Sequence, residues 1–197
     1  MKNWIFFTGV PGSRWSGVAK TLCEAPIVNN SDRNETRTYN DMHQGNYFGP
    51  NMEHGKLFEQ LNKLPSSIIN AELESPFEEK NDTQLRFLKS HTFAYHLDFI
   101  KTQYPTSKIM MVYRDDETAL KWWLDAGGFN ITYPKYDWYK DEKTMFERIK
   151  LENNNILTFC KKHNTELVPF TDVWIKQNFD WDMEVDTYFD DITVAII

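Results

Sequence analysis

Three short polar segments of this 197-residue chain carry side chains able to handle an anion and a proton. The first, Gly9-Val10-Pro11-Gly12-Ser13-Arg14-Trp15-Ser16, combines two glycines, two hydroxyls and a guanidinium whose planar fork suits phosphate or sulfate oxygens. The second, Lys89-Ser90-His91, sets an ammonium group beside an imidazole. With an ordinary pKa of about 6.5, an imidazole is the side chain suited to take a proton at neutral pH. The third, Arg114-Asp115-Asp116, adds a second guanidinium. Brought to one place, these groups would grip a doubly charged oxyanion with a base alongside.

Bringing them together is a task for the elements that precede them. Residues 4–8 are an apolar, aromatic and β-branched run that stops at Gly9, which predicts a buried strand entering a tight loop. Val18, Ala19, Leu22 and Cys23 then follow helical spacing, with Ser16 available as cap and Pro26 closing the segment. The opening therefore reads β-loop-α, where backbone N–H groups and the helix dipole can hold an anion.

The same order recurs. Residues 85–91 predict a strand and 93–104 a helix, and residues 108–114 predict a strand followed by a helix running to Gly127-Gly128. A long helix is expected over 141–163, a fourth parallel strand over 166–170, a short helix over 172–177, and a final strand or apolar tail over 192–197. Between these, residues 29–51 have no sustained period and predict a long surface segment. Residues 55–64 predict an amphipathic helix, residues 67–73 a short strand, and residues 74–82 an exposed charged stretch. Repeated β-then-α order implies an α/β single domain over residues 1–197, a mostly parallel sheet flanked by helices, with ligands gathering beyond the carboxyl ends of the strands.

Composition narrows the partners. The net charge of -7 is concentrated after Lys176, where six acids stand without Lys or Arg; the remainder holds 22 Lys and Arg against 23 Asp and Glu. A nearly neutral body with an acidic segment over 178–197 allows a local positive pocket and argues against a nucleic-acid surface. Cys23 and Cys160 stand far apart, outside any Cys-x-x-Cys or His-rich setting, so zinc and redox chemistry are not expected. The apolar run at the start is too short for a signal peptide and no later stretch approaches a membrane span, so the expectation is a cytoplasmic protein with no membrane partner. No pattern speaks to oligomeric state.

The loop is not of Walker type: Arg14, Trp15 and Ser16 stand where Gly-Lys-Ser/Thr would be, and Lys20 comes a turn too late. Instead, Pro11, Ser13 and Ser16 after a strand resemble the phosphosulfate loop of the sulfotransferases, usually Pro-Lys/Arg-Ser-Gly-Thr-Thr. Lys89-Ser90-His91 looks like that family's Lys-Thr/Ser-His element, and residues 108–114 are similar to its 3'-phosphate element. Residues 166–174, with Thr171-Asp172, resemble its later strand segment. Order and spacing agree over residues 3–175. Four features depart from the pattern. Gly12 takes the place of the basic residue, Arg14 that of the Gly, and Trp122 that of a Ser eight positions after Arg114. The C-terminal Gly- and Lys-rich loop has no counterpart. Thr132-Tyr133-Pro134-Lys135 echoes the loop only superficially.

The resemblance implies a P-loop nucleoside triphosphate hydrolase-like fold of the sulfotransferase kind, and transfer of a sulfuryl group from 3'-phosphoadenosine 5'-phosphosulfate to a hydroxyl or amine acceptor without a metal. It implies His91, Lys89 and Arg14 in the chemistry, and Pro11, Gly12, Ser13, Arg14, Trp15, Ser16 and Arg114 around the nucleotide. The acceptor would be a small molecule or carbohydrate. Residues 29–51 and 133–139 are polar and aromatic enough to bind sugars, lipid headgroups or small phenols. Two other functions fit the same residues: a nucleotide- or phosphate-binding module of this fold without the reaction, and a kinase-like phosphotransferase, which the missing loop lysine disfavours. At single positions, His91 has the alternative of a strand-end histidine held by a backbone carbonyl, and Arg114 that of a local ion pair with Asp115 or Asp116.

Overall fold

The strand β1, Trp4–Gly9, is buried along its whole length. The computed structural model describes residues 3–29, 49, 54–77, 84–130 and 139–197. Along β1 the side chains alternate: Ile5 and Phe7 enter one apolar cluster, Trp4 and Phe6 another. On the first face lie α1, Trp15–Leu22, and α6, Asp172–Phe179, whose Trp15, Val18, Leu22, Trp174, Ile175 and Phe179 meet Ile5 and Phe7. On the second face lie α2, Ser66–Glu74, α3, Leu97–Gln103, and α5, Glu142–Lys162. Each large apolar side chain so enclosed contributes about 1.5–3 kcal/mol against leaving it in water.

Strands β2, Arg86–Lys89, and β3, Lys108–Tyr113, flank β1 in parallel, Phe7 pairing with Lys89 and Gly9 with Val112. The sheet is completed by β4, Val168–Pro169, and β5, Thr193–Ile196, in the order β2-β1-β3-β5-β4. The expected mostly parallel sheet is thus corrected to a mixed one. β5 inserts between β3 and β4 and runs antiparallel to both, so the fourth strand shares β3's direction without bonding to it. The physical reason is apolar: Val194 and Ala195 of β5 are buried, one in each of the two clusters, and cover the edge that β3 would otherwise expose.

Helix signals were largely sound. α5 begins after Asp141, whose carboxylate accepts from the Thr144 N–H at 2.8 Å, and carries Lys161 and Lys162 in its last turn, where the dipole favours cations. α4, Asp116–Asp125, is capped in the same way by Asp115. Three expectations change. Residues 67–73 are not a strand: Ile69 and Leu73, four apart, are buried while Ile68 and Ala71 are exposed, so burial follows the helical period of α2. The amphipathic helix expected over 55–64 is a 3-10 segment, Phe58–Lys63, whose buried Phe58 and Leu61 are three apart, while Leu57 faces water. The helix expected over 93–104 is split into a 3-10 turn, His91–Tyr95, and α3.

Among the described residues no helix is long and apolar enough to cross a membrane. The surface segment expected over 29–51 lies almost wholly outside the described residues, as do most of 133–139, the loop-like 132–135 and residues 78–82 of the charged stretch.

Candidate functional site

The loop after β1 is pressed against α4. Gly12 has φ 77°, and a Cβ placed on it would stand 1.9 Å from the Ala119 carbonyl oxygen, so no side chain fits there. That explains the absence of a basic residue at this loop position. Ser13 turns inward: its N–H and its hydroxyl both donate to the Val10 carbonyl, at 3.1 and 2.7 Å, and it is fully buried. Arg14, at φ 59°, is the residue that caps α1, in place of the expected Ser16, which falls inside the first turn. A left-handed conformation costs a residue with a Cβ about 1–2 kcal/mol, and here it turns the Arg14 side chain toward the carboxyl edge of the sheet.

The two arginines converge there on one carboxylate. Arg114, at the end of β3, donates from Nε to Asp191 Oδ2 at 2.9 Å and from Nη2 to the same oxygen, while its Nη1 donates to the Gly12 carbonyl at 3.0 Å. Arg14 Nη1 reaches Asp191 Oδ1 at 3.3 Å and donates to the Tyr188 carbonyl. The Arg14 guanidinium also lies 4.0 Å from the Tyr188 ring centroid and 5.3 Å from that of Trp122, which gives Trp122 a place beside the site. Arg114 is 4% exposed at its side chain and Asp191 45%. The alternative pairing of Arg114 with Asp115 or Asp116 is not made. Asp115 caps α4, and the Thr118 N–H holds its carboxyl below the usual range; Asp116 instead accepts from Asn153 Nδ2 at 2.6 Å.

A second charged cluster sits deeper. His91 follows β2 and is 6% exposed. Its Nδ1–H donates to the carbonyl of Gly9, the last residue of β1, and its ring lies 4.2 Å from that of Trp15. Because a carbonyl only accepts, Nδ1 carries the proton and Nε2 is the basic nitrogen of the neutral ring. The carbonyl contact foreseen for a merely structural histidine is therefore present, and it also fixes the tautomer that a base requires. On the Nδ1 side, Glu152 of α5 places Oε2 at 3.8 Å. Glu152 is wholly buried; Arg148 Nε donates to its Oε1 at 2.6 Å, and the Tyr95 hydroxyl lies against it. Burial pushes its carboxyl up to about 7 despite Arg148, and burial together with the Glu152 charge pushes the Tyr95 hydroxyl far above its ordinary value.

No family model, curated protein or solved structure matches this chain.

Of the residues singled out in the sequence, Gly12, Arg14 and Arg114 meet around Asp191, while His91 stands apart from them against Gly9, Trp15 and Glu152. Lys89 is buried at the end of β2, Pro11 is buried in the loop, and Trp15 stacks on Phe7 and leans on His91. Three residues of these two clusters escaped sequence reasoning. Asp191 belongs to the acidic segment over 178–197, and only its position directly before the apolar run 192–197 sets it apart. Glu152 and Asn153 did leave a signal: they interrupt the apolar stripe of α5 between Ile149 and Ile156, where a helix facing the core should carry apolar residues. Both are buried, and Asn153 Nδ2 also donates to the Arg114 carbonyl at 2.8 Å, so one turn of α5 supports both clusters.

Proposed function

We infer that this chain binds the phosphate and sulfate groups of a nucleotide between Arg14 and Arg114 and transfers a sulfuryl group from 3'-phosphoadenosine 5'-phosphosulfate to a hydroxyl or amine acceptor, with His91 as base. The observation that carries this reading is the convergence of two guanidinium groups, 100 positions apart in the chain, on a single oxyanion at the carboxyl ends of β1 and β3. A carboxylate there stands in for the oxygens of a phosphate or sulfate. The loop supports the same reading: the left-handed position is the one at which the sulfotransferase pattern has Gly, although Arg14 occupies it here. This support comes with a P-loop-like order of strand, loop and helix, in a sheet whose last strand is reversed.

In this reading Arg14 and Arg114 hold the anionic end and α1 adds its amino-terminal dipole. Ser13, whose hydroxyl is taken by Val10, shapes the loop and does not touch ligand. His91 Nε2 accepts the acceptor proton as the acceptor oxygen or nitrogen bonds to sulfur and the bond from sulfur to the bridging phosphate oxygen breaks. The charge left on that oxygen falls to the arginines, and Lys89 lies on the strand that delivers His91.

The test is calorimetric titration with adenosine 3',5'-bisphosphate, paired with a transfer assay over phenol, sugar and amine acceptors. Micromolar binding, transfer to one acceptor class, and a His91→Ala variant that binds but transfers at least about a hundredfold more slowly are expected. Affinity that appears only with Mg2+ and a nucleoside triphosphate would replace the reading with phosphoryl transfer. One observation favours a binding module without chemistry: Asp191 already neutralises both arginines, so a ligand must displace an internal ion pair. Binding without transfer to any acceptor selects that reading.

A further inference from the structure

We propose that Glu152 is the positioning residue for His91: its buried carboxylate, 3.8 Å from Nδ1, orients the ring and balances the positive charge the imidazole acquires when Nε2 takes a proton. The inference rests on the reading of His91 as base and adds to it a partner that no resemblance supplies.

The geometry has three parts. Glu152 Oε2 is fully buried and makes no hydrogen bond of good geometry among the described residues, with only the Tyr95 hydroxyl lying against the carboxylate, so a positive charge beside it would be favourable. The His91 imidazole, a group able to become positive, lies 3.8 Å from this oxygen, while Arg148 Nε is engaged at the other oxygen, Oε1. At 3.8 Å the Nδ1 contact is too long for a hydrogen bond and close enough for a direct charge interaction. Nδ1–H stays on the Gly9 carbonyl, which keeps Nε2 as the basic nitrogen, and Trp15 closes one side of the ring. The arrangement thus has a base, a backbone acceptor that sets its tautomer, and an acid behind it, the logic by which carboxylates assist catalytic histidines.

The ionisable groups around this pair are Arg148 from the preceding turn of α5, and Tyr95 from the 91–95 turn. Lys89 lies two residues before His91, and Arg114 and Asp116 are tied to the neighbouring Asn153. Burial lifts the Glu152 carboxyl to about 7 despite the Arg148 contact.

The experiment follows the His91 ring and Glu152 carboxyl signals of the full chain by NMR across the pH range, in wild type and in Glu152→Gln. The expected result is a His91 midpoint lower in Glu152→Gln by roughly one to three pH units, the effect of removing an opposite charge within a few ångströms. Equal midpoints in the two proteins overturn the proposal. Should Glu152→Gln fail to fold, the wild type decides: two inflections shared by both signals support the pair, and independent single-step titrations overturn it. In the transfer assay, Glu152→Gln should lower kcat with little change in acceptor KM and displace the acidic limb of the pH profile, with Glu152→Asp restoring part of the rate. If the chain neither binds the bisphosphate nor transfers, yet the two signals titrate together, the sulfuryl-transfer reading falls and the pairing stands. Transfer with independent titrations sinks the pairing alone.

Discussion

The two charged clusters at the carboxyl edge of the sheet use the same ingredients in different solvents. Around Asp191, two arginines share a carboxylate that is nearly half exposed; around Glu152, an arginine, a tyrosine and a histidine crowd a carboxylate that meets no water at all. Exposure lets a carboxylate be exchanged for another anion at modest cost, because water solvates whatever is released. Enclosure makes any change of charge expensive, so the cluster answers by moving protons. In the reading proposed above, the outer cluster binds and the inner one titrates.

The largest perturbation of this contrast is Arg114→Ala. It leaves the Gly12 carbonyl without a donor and the half-exposed Asp191 carboxylate with Arg14 alone, and should cost about 1.5–3 kcal/mol in unfolding free energy by urea titration, together with most of the anion affinity. Next comes the pH dependence of the inner cluster. A carboxyl whose pKa rises from 4.5 unfolded to about 7 folded binds more protons in the folded state between those values, so its contribution to stability is full below the lower value and is lost as pH rises through the upper one. Wild type should therefore lose up to about 3 kcal/mol from this group between pH 4.5 and 7, and Glu152→Gln should show a flatter profile across that window. The carboxylates held low, Asp98 by Lys162 and Asp115 and Asp141 by their helix-capping contacts, act in the opposite sense and only below about pH 3.8. The smallest effect expected is that of Asp191→Asn. Releasing both arginines from their internal partner should tighten adenosine 3',5'-bisphosphate about tenfold by calorimetry, equivalent to about 1.4 kcal/mol, and make binding more sensitive to salt. A weaker complex in that variant would mean that Asp191 organises the arginines and does not compete with the ligand.

What the sequence revealed follows from the range of the forces involved. Caps, turns and apolar periods are local, so β1, β2, β3, α1, α4 and both ends of α5 could be read from residues a few positions apart, and so could the loops that bring Arg14, His91 and Arg114 to one edge. The strand reading of 67–73 went astray because paired isoleucines favour strands locally, while packing of Ile69 and Leu73 against the second face chose a helix. The reversed strand and the role of Asp191 depend on contacts across nearly 80 residues, and no local pattern announces them. Glu152 was within reach: an acid on the apolar stripe of a long helix signals a buried partner, and its partner His91 was already marked.

The insertion of β5 between β3 and β4 also orders events as the chain leaves the ribosome. Residues up to Lys162 can form the β2-β1-β3 core and its supporting helices, but β4 then has no neighbour to bond, and β3 presents a bare edge until residues 193–196 emerge. The same late strand delivers Asp191 to the arginines, so a growing polypeptide carries an unneutralised cationic pair beside an open sheet edge until residues 191–196 emerge, which both seal the sheet and quench that charge.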